Sequence, residues 1–452
     1  MFKADFIASS LRISSTKVGE FSRIWTDSRT CKKGDLFAAI SGEKFDGHEF
    51  VFKAAELGAT GAIVSKKEFL DRAKLPSQFQ IFEVSHTTEA LRQIAKAYRA
   101  QLQIPIFAVA GSNGKTTTKE WLAYLLRHLY SPKEIFKTDK SNNSILGIAL
   151  SLLQIRSEKM AVIEIGIDEP GWMDQHLEVV QPTHGLITTV AEEHLNRLKS
   201  IEIIAKEELK LLDYLRSKNA SFAMNIDSEW ITKAEPTSKT LTYALEAPAQ
   251  IEGKFIPPQT LHAFGLEWHN PLPGKHNAQN LLAAIAGIKI LIPNLNLNDL
   301  KKLSLATKDF QGEPHRSQWL KFKNDIQVYD DAYNANPDSM EKALQAFLEL
   351  SDGCHQRVVL GDMLDLGDAT DEAHRRILNR ASVLGFDQIY LFGNQFAKAF
   401  SEMKIPTQNI RTYESINELA SELKKDLKSG ETLFLKGSRG MSLERLIPKI
   451  FS

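Results

Sequence analysis

The chain has 452 residues, 43% apolar and 25% charged, and its 56 acidic side chains balance its 56 basic ones. That is room for about three globular domains, and the balanced charge excludes a surface tuned as a whole to nucleic acid or to an anionic membrane. Cys31 and Cys354 show no metal-ligand spacing, charge appears early where a secretory signal would be apolar, and no apolar run spans a bilayer; a cytoplasmic protein is expected.

Residues 1–103 read as a small α/β unit. Residues 62–64 and 80–84 are short apolar strands, and 88–102 is an amphipathic helix with Leu91, Ile94, Ala95 and Tyr98 on one face. Two loops mix turn formers with polar groups and a cation: Thr26-Asp27-Ser28-Arg29, and 41–48, which holds Lys44 and Asp46. Composition alone reads both as solvated turns. Pro105 marks the passage to the next unit.

Residues 104–308 alternate strands (104–110, 160–165, 185–190, 221–225) with helices (115–129, 144–153, 201–215, 277–291). Such alternation predicts a mainly parallel sheet covered on both faces, with its ligand at the carboxyl ends of the strands. The first strand runs into Gly111-Ser112-Asn113-Gly114-Lys115-Thr116-Thr117-Thr118. A glycine-rich turn between strand and helix aims several N–H groups at one point, where the helix dipole adds positive potential, so the turn suits a polyphosphate. Lys115 would reach the terminal phosphates and Thr116 a Mg2+ ion. Val109 stands where the general P-loop pattern has its first glycine, so the compact G-x-x-G-K-T form describes the loop better.

Glu164 is the one carboxylate in an otherwise apolar strand; it either faces water at an edge position or needs a partner, for which a Mg2+ ion at the loop is suited. His194 follows another strand of the same sheet. Lys206 lies in an apolar-faced helix, where a lysine ordinarily snorkels into water. Asn277 and Asn280 lie one turn apart, placed either to cap a helix or to hold a base. Residues 309–452 form a third alternating unit with strands at 326–329, 357–360, 388–392 and 432–435. Its polar run 330–339 follows a strand and starts a helix, which suits both a binding site and a helix cap.

In chain order, the 111–118 loop, Asn142-Asn143, Glu164-Ile165-Gly166, His194, Ala205-Lys206, 274–280, Arg316, 330–339, 360–367 and Lys436-Gly437-Ser438-Arg439 resemble the Mur ligase family over nearly the whole chain. The run Tyr333-Asn334-Ala335-Asn336-Pro337 resembles the branch that takes a dipeptide. The Asp-Asn-Pro-Arg motif of the branch adding the third amino acid is missing.

The resemblance implies a central P-loop, mainly parallel sheet domain (104–308), flanked by an N-terminal α/β domain (1–103) for the UDP end of the substrate. A C-terminal Rossmann-like domain (309–452) would bind the incoming dipeptide and close on ATP, with hinges near 101–104 and 307–313. The implied protein is a monomeric ATP- and Mg2+-dependent ligase joining UDP-N-acetylmuramoyl-tripeptide to D-alanyl-D-alanine through an acyl phosphate, with no nucleic-acid or membrane partner. Gly111, Ser112, Asn113, Gly114, Lys115, Thr116 and Thr117 would cradle the phosphates. Thr116 and Glu164 would hold one Mg2+, and His194 a second, braced by a carbamylated Lys206. His276, Asn277 and Asn280 would border the adenine, Asp331 the ribose and Arg316 the γ-phosphate. Tyr333, Asn334, Asn336 and Ser339 would lie by the dipeptide, Asn142 and Asn143 near the substrate, and Ser28, Arg29, Lys44 and Asp46 at the UDP end. The rivals are another amide ligase of the superfamily, such as a sibling or a folylpolyglutamate synthase, and a nucleotide-binding protein that kept the fold without the chemistry.

Overall fold

The computed structural model describes residues 1–14, 18–42, 45–351, 353–403 and 408–451. Three α/β units follow one another. In the first, Ile24–Trp25, Leu36–Ala38, Gly61–Val64 and Gln80–Glu83 form a four-stranded parallel sheet. The helix Thr87–Arg99 buries Leu91, Ile94 and Ala95, the face its periodicity predicts. It packs against the helices Ile145–Leu152 and Trp172–Val180 of the second unit.

The second unit is a nine-stranded sheet. From one edge it runs Ile135–Lys137, Met160–Glu164, Ile106–Ala110, His184–Ile187, Ser221–Asn225, Thr240–Ala244 and Ile251–Ile256, all parallel. Two antiparallel strands, Thr260–Ala263 and Leu266–His269, extend it. The strand Ile106–Ala110 sits inside the sheet with every residue buried, which is why it is apolar throughout. It begins after Pro105, which has no N–H for the ladder. The neighbouring strand ends at Ile187, earlier than the pattern predicts. Thr188 and Thr189 turn aside to bind the loop: Thr188 Oγ1 donates to the Asn113 carbonyl at 2.6 Å, and Ser112 N donates to Thr189 O at 2.8 Å.

The third unit orders its strands Gln318–Lys321, Gln327–Asp330, Thr432–Lys436, Gln356–Gly361, Gln388–Phe392 and Ile410–Tyr413. Only the first pairing is antiparallel. The expected hinge at 307–313 is pinned midway, because the buried Phe310 ring stacks on Trp121 with centroids 3.6 Å apart. No helix among the described residues is long and apolar enough to cross a membrane.

Candidate active site

A cleft of about 790 Å³ opens where the carboxyl ends of the central strands face the third unit. Its floor is the 111–118 loop. Gly111 has φ +118°, and a side chain there would fall 2.3 Å from Thr188 Oγ1. Gly114 has φ +83°, and a Cβ would fall 2.1 Å from Asn280 Oδ1, so glycine is required at both places. The helix Lys115–Leu129 starts directly from the turn.

Thr116 Oγ1 donates to Glu164 Oε1 at 3.1 Å, and Asn143 Nδ2 donates to the same oxygen at 2.8 Å. Register places Glu164 beside Val109, level with the start of the loop. Its other oxygen lies 3.3 Å from the ammonium of Lys119, a wholly buried lysine that the sequence reading passed over. Among the described residues no three His, Cys, Asp or Glu side chains gather in a metal-holding cluster. A hydroxyl and one carboxylate facing a phosphate site nonetheless fit Mg2+, which takes few protein ligands and completes its shell with phosphate and water.

Lys115 Nζ donates to Ser112 O at 3.1 Å and lies 3.4 Å from both oxygens of Glu193. Burial would push its pKa down, but Glu193, Glu208 and Glu164 outweigh burial and hold it above the usual lysine value. His194 Nε2 lies 3.4 Å from Asp168 Oδ1 at the cleft wall. Burial pushes His276 down to about 4, so it enters the cleft neutral at pH 7. Asn277 donates to Pro273 O at 2.9 Å, and Asn280 donates to Asn277 Oδ1 at 3.3 Å. Neither side chain caps the helix Lys275–Leu291, and both line the cleft.

The third unit supplies the roof. Asn336 Nδ2 donates to Asn113 Oδ1 at 2.9 Å, and Asn113 Nδ2 donates to Asp338 at 2.8 Å, so the polar run touches the phosphate loop directly. Asn336 also caps the helix Pro337–Leu350 reciprocally with Ser339. Arg316 donates to Ser141 Oγ at 3.0 Å and stacks over Tyr333 at 3.8 Å. Asp331 accepts from Lys436 at 2.5 Å and from Ser317 N at 2.9 Å. Asn334 lines the cleft, and its carbonyl accepts from Lys436.

Other expected residues are not brought here. Lys206 is exposed and absent from the cleft lining. Two positions along the same helix, Glu208 is wholly buried, and burial pushes its carboxyl up to about 8. Asn142 is exposed and outside the cleft. Gly111 shapes the loop from behind its lining. In the first unit, Ser28 is buried in a short turn, and Arg29 pairs with Asp27 at 2.8 Å while remaining open to water. Asp46 is held by Lys66 and His48, each at 2.5 Å, which keeps its carboxyl well below the usual range. Lys44 lies outside the described residues. The sequence reading missed Ser141, Asp168 and Glu193 and named Lys436 only within a motif, without a role; all four line the cleft.

Three family models match the chain. They are described as Mur ligase family catalytic domain (residues 20–99), Mur ligase middle domain (109–288) and Mur ligase glutamate ligase domain (315–439). A UDP-N-acetylmuramoyl-tripeptide--D-alanyl-D-alanine ligase from Synechocystis is 31% identical, over 99% of this chain and 96% of its own. One of the same name from Bacillus subtilis is 28% identical, over 93% and 91%. A crystal structure of MurF from Acinetobacter baumannii superposes with a TM-score of 0.85 at 26% identity, covering 100% of this chain and 98% of that one. The three matched segments, in the order in which the three sheets follow one another, establish that this chain belongs to the Mur ligase family.

Proposed function

We propose that the protein is an ATP-dependent ligase that joins D-alanyl-D-alanine to UDP-N-acetylmuramoyl-tripeptide, giving the UDP-pentapeptide precursor of peptidoglycan. The observation that carries the reading is the meeting of Asn113 in the phosphate loop with Asn336 and Asp338 at the start of the third unit's first long helix. A phosphoryl donor on one side and an amine acceptor on the other would then face one another across a single cleft. The full-length relatives bearing this activity in their names support the choice of substrates.

A carboxylate does not react with an amine at neutral pH until an oxygen is turned into a leaving group. The γ-phosphoryl of ATP passes to the tripeptide's terminal carboxylate, giving an acyl phosphate and ADP. The dipeptide's neutral amine attacks the acyl carbon, the tetrahedral intermediate expels phosphate, and the amide forms. Lys115 and the loop N–H groups take up charge on the phosphates. Thr116 and Glu164 would hold Mg2+, which supplies charge neutralisation between the phosphate oxygens when bound. His194 would serve a second ion. His276, Asn277 and Asn280 would seat the adenine and Asp331 the ribose. Tyr333, Asn334, Asn336 and Ser339 would position the dipeptide. Residues 1–103, 104–308 and 309–452 would serve the UDP end, the nucleotide and the dipeptide respectively, in the cytoplasm.

Phosphate release from ATP with Mg2+, omitting each substrate in turn, tests the reading. Release that needs both substrates, with the UDP-pentapeptide identified by mass, is expected. Release that ignores the dipeptide would point to another amide ligase, and no release to a binding protein.

Arg316 gives a sharper test. Its guanidinium comes from the third unit but reaches Ser141 in the second. Its Nε is buried and has no hydrogen-bond partner among the described residues. Arg316→Ala is expected to lower turnover about 100-fold while changing ATP affinity less than about threefold, as for a group that acts chiefly in the transition state. Equal losses in both would remove Arg316 from that role.

A further inference from the structure

Glu208 is wholly buried on the helix Ile201–Ser217, and neither carboxylate oxygen completes a hydrogen bond among the described residues. An unpartnered buried carboxylate is among the costliest groups a fold can hold, so its retention calls for a use. The groups acting on it are the Lys115 ammonium, the Glu193 carboxylate, the Gly111 N–H and, on its own helix, Glu207. Glu207 is already engaged by Lys210 at 2.6 Å. Glu208 therefore lies behind the phosphate loop, on the side from which Lys115 is held.

Helical geometry separates it from Lys206. Two residues turn an α-helix through about 200°, so a helix that buries position 208 presents position 206 to water. Lys206 is indeed exposed. Rotating it inward would expel Ile204, Leu211, Leu212 and Leu215, all wholly buried. A carbamate on Lys206 would point into solvent.

We infer that the acidic side chain behind the phosphate loop, Glu208, acts as a positioning residue for Lys115 and for a divalent cation bound at the loop, and that the protein uses no carbamate on Lys206. A carbamate forms reversibly and depends on dissolved CO2, whereas a glutamate side chain is permanent. Activity here is then independent of CO2. Only the turnover measurements rest on the ligase reading above.

The test uses the full chain. The protein is equilibrated with 13C-bicarbonate and examined by 13C NMR, and Mn2+ is titrated by electron paramagnetic resonance with a non-hydrolysable ATP analogue present. No lysine carbamate resonance is expected, and Lys206→Ala should keep both its Mn2+ affinity and its turnover, with or without CO2. Glu208→Gln should lose about 10- to 100-fold in Mn2+ affinity and turnover with little change in the KM for ATP. Formate should restore part of the turnover of Glu208→Ala. A carbamate resonance that disappears in Lys206→Ala, a wild-type rate that falls on CO2 removal, or an unaffected Glu208→Gln would overturn the inference. Thermal melts identify a variant that has not folded, and in that event the wild-type spectrum and Lys206→Ala decide. The spectrum and the Mn2+ titration need neither tripeptide nor dipeptide, so they separate failure of this inference from failure of the ligase reading.

Discussion

Lys115→Ala is expected to lower the turnover of substrate-dependent phosphate release by about 100- to 1,000-fold, the scale seen when a donor aimed at transition-state charge is removed. The ammonium is held in readiness. It sits 3.1 Å from Ser112 O and 3.4 Å from both oxygens of Glu193, in a site where the surrounding carboxylates keep it protonated despite burial. Incoming terminal phosphates would take over from Glu193 as its partner, so little reorganisation would be needed when charge moves during transfer. The loop N–H groups and Thr116 remain in the variant, so ADP affinity should fall far less than turnover. Isothermal titration with ADP beside a phosphate-release assay reads both. A loss confined to ADP affinity would make Lys115 a docking residue only.

The phosphate loop is legible in the sequence because its chemistry is local. A buried apolar strand, two glycines with positive φ and a Lys-Thr pair lie within a dozen residues, and no distant contact is needed to recognise them. The run 330–339 is legible for the same reason, since one stretch of turn and capping residues serves both the helix start and the cleft. Glu208 shows the opposite case. Ile204, Leu211, Leu212 and Leu215 define the buried stripe of its helix, and Glu208 lies at the centre of that stripe. The helical period alone therefore places Glu208 on the buried face and the lysine two positions earlier on the exposed one. Lys119 is similar: it lies one turn before Leu122 on a helix that buries both faces near its start, and only the sheet reveals Glu164 across from it. The strands between 240 and 269 were missed because they are short and alternate polar with apolar residues at the sheet's far end. In the Gly361-Asp362-Met363 run, the sequence marks the place but not the role. Asp362 accepts from Gln395 N at 3.0 Å and Phe396 N at 2.9 Å, so it caps the start of the helix Asn394–Glu402.

The largest expected effect on stability comes from outside the cleft. Arg99 ends the helix Thr87–Arg99, is 7% exposed, and has three main-chain carbonyls as partners. Nε donates to Val180 O at 2.7 Å, Nη2 to Gln181 O at 2.8 Å and Nη1 to Leu102 O at 2.9 Å. Two of those acceptors belong to the second unit and one to the connection between units, so a single side chain fastens the first unit to the sheet that carries the phosphate loop. Burial pushes its pKa down, but a guanidinium remains charged, and its planar fork matches three carbonyls that a lysine would serve only in part. Arg99→Ala strips the partners from all three acceptors and leaves a void between helices. A loss of about 3–5 kcal/mol is expected, the range for breaking a buried charged hydrogen-bond set from one side. Arg99→Met fills most of the volume without donors and should recover less than half of that loss, which assigns the remainder to the hydrogen bonds. Urea unfolding followed by tryptophan fluorescence measures both variants. Because the first unit depends on this anchor, Arg99→Ala should also split one transition into two, the first unit loosening before the second. A variant that unfolds in one step within about 1 kcal/mol of the wild type would show that the packing of Thr87–Arg99 on its two neighbouring helices holds the units together without Arg99.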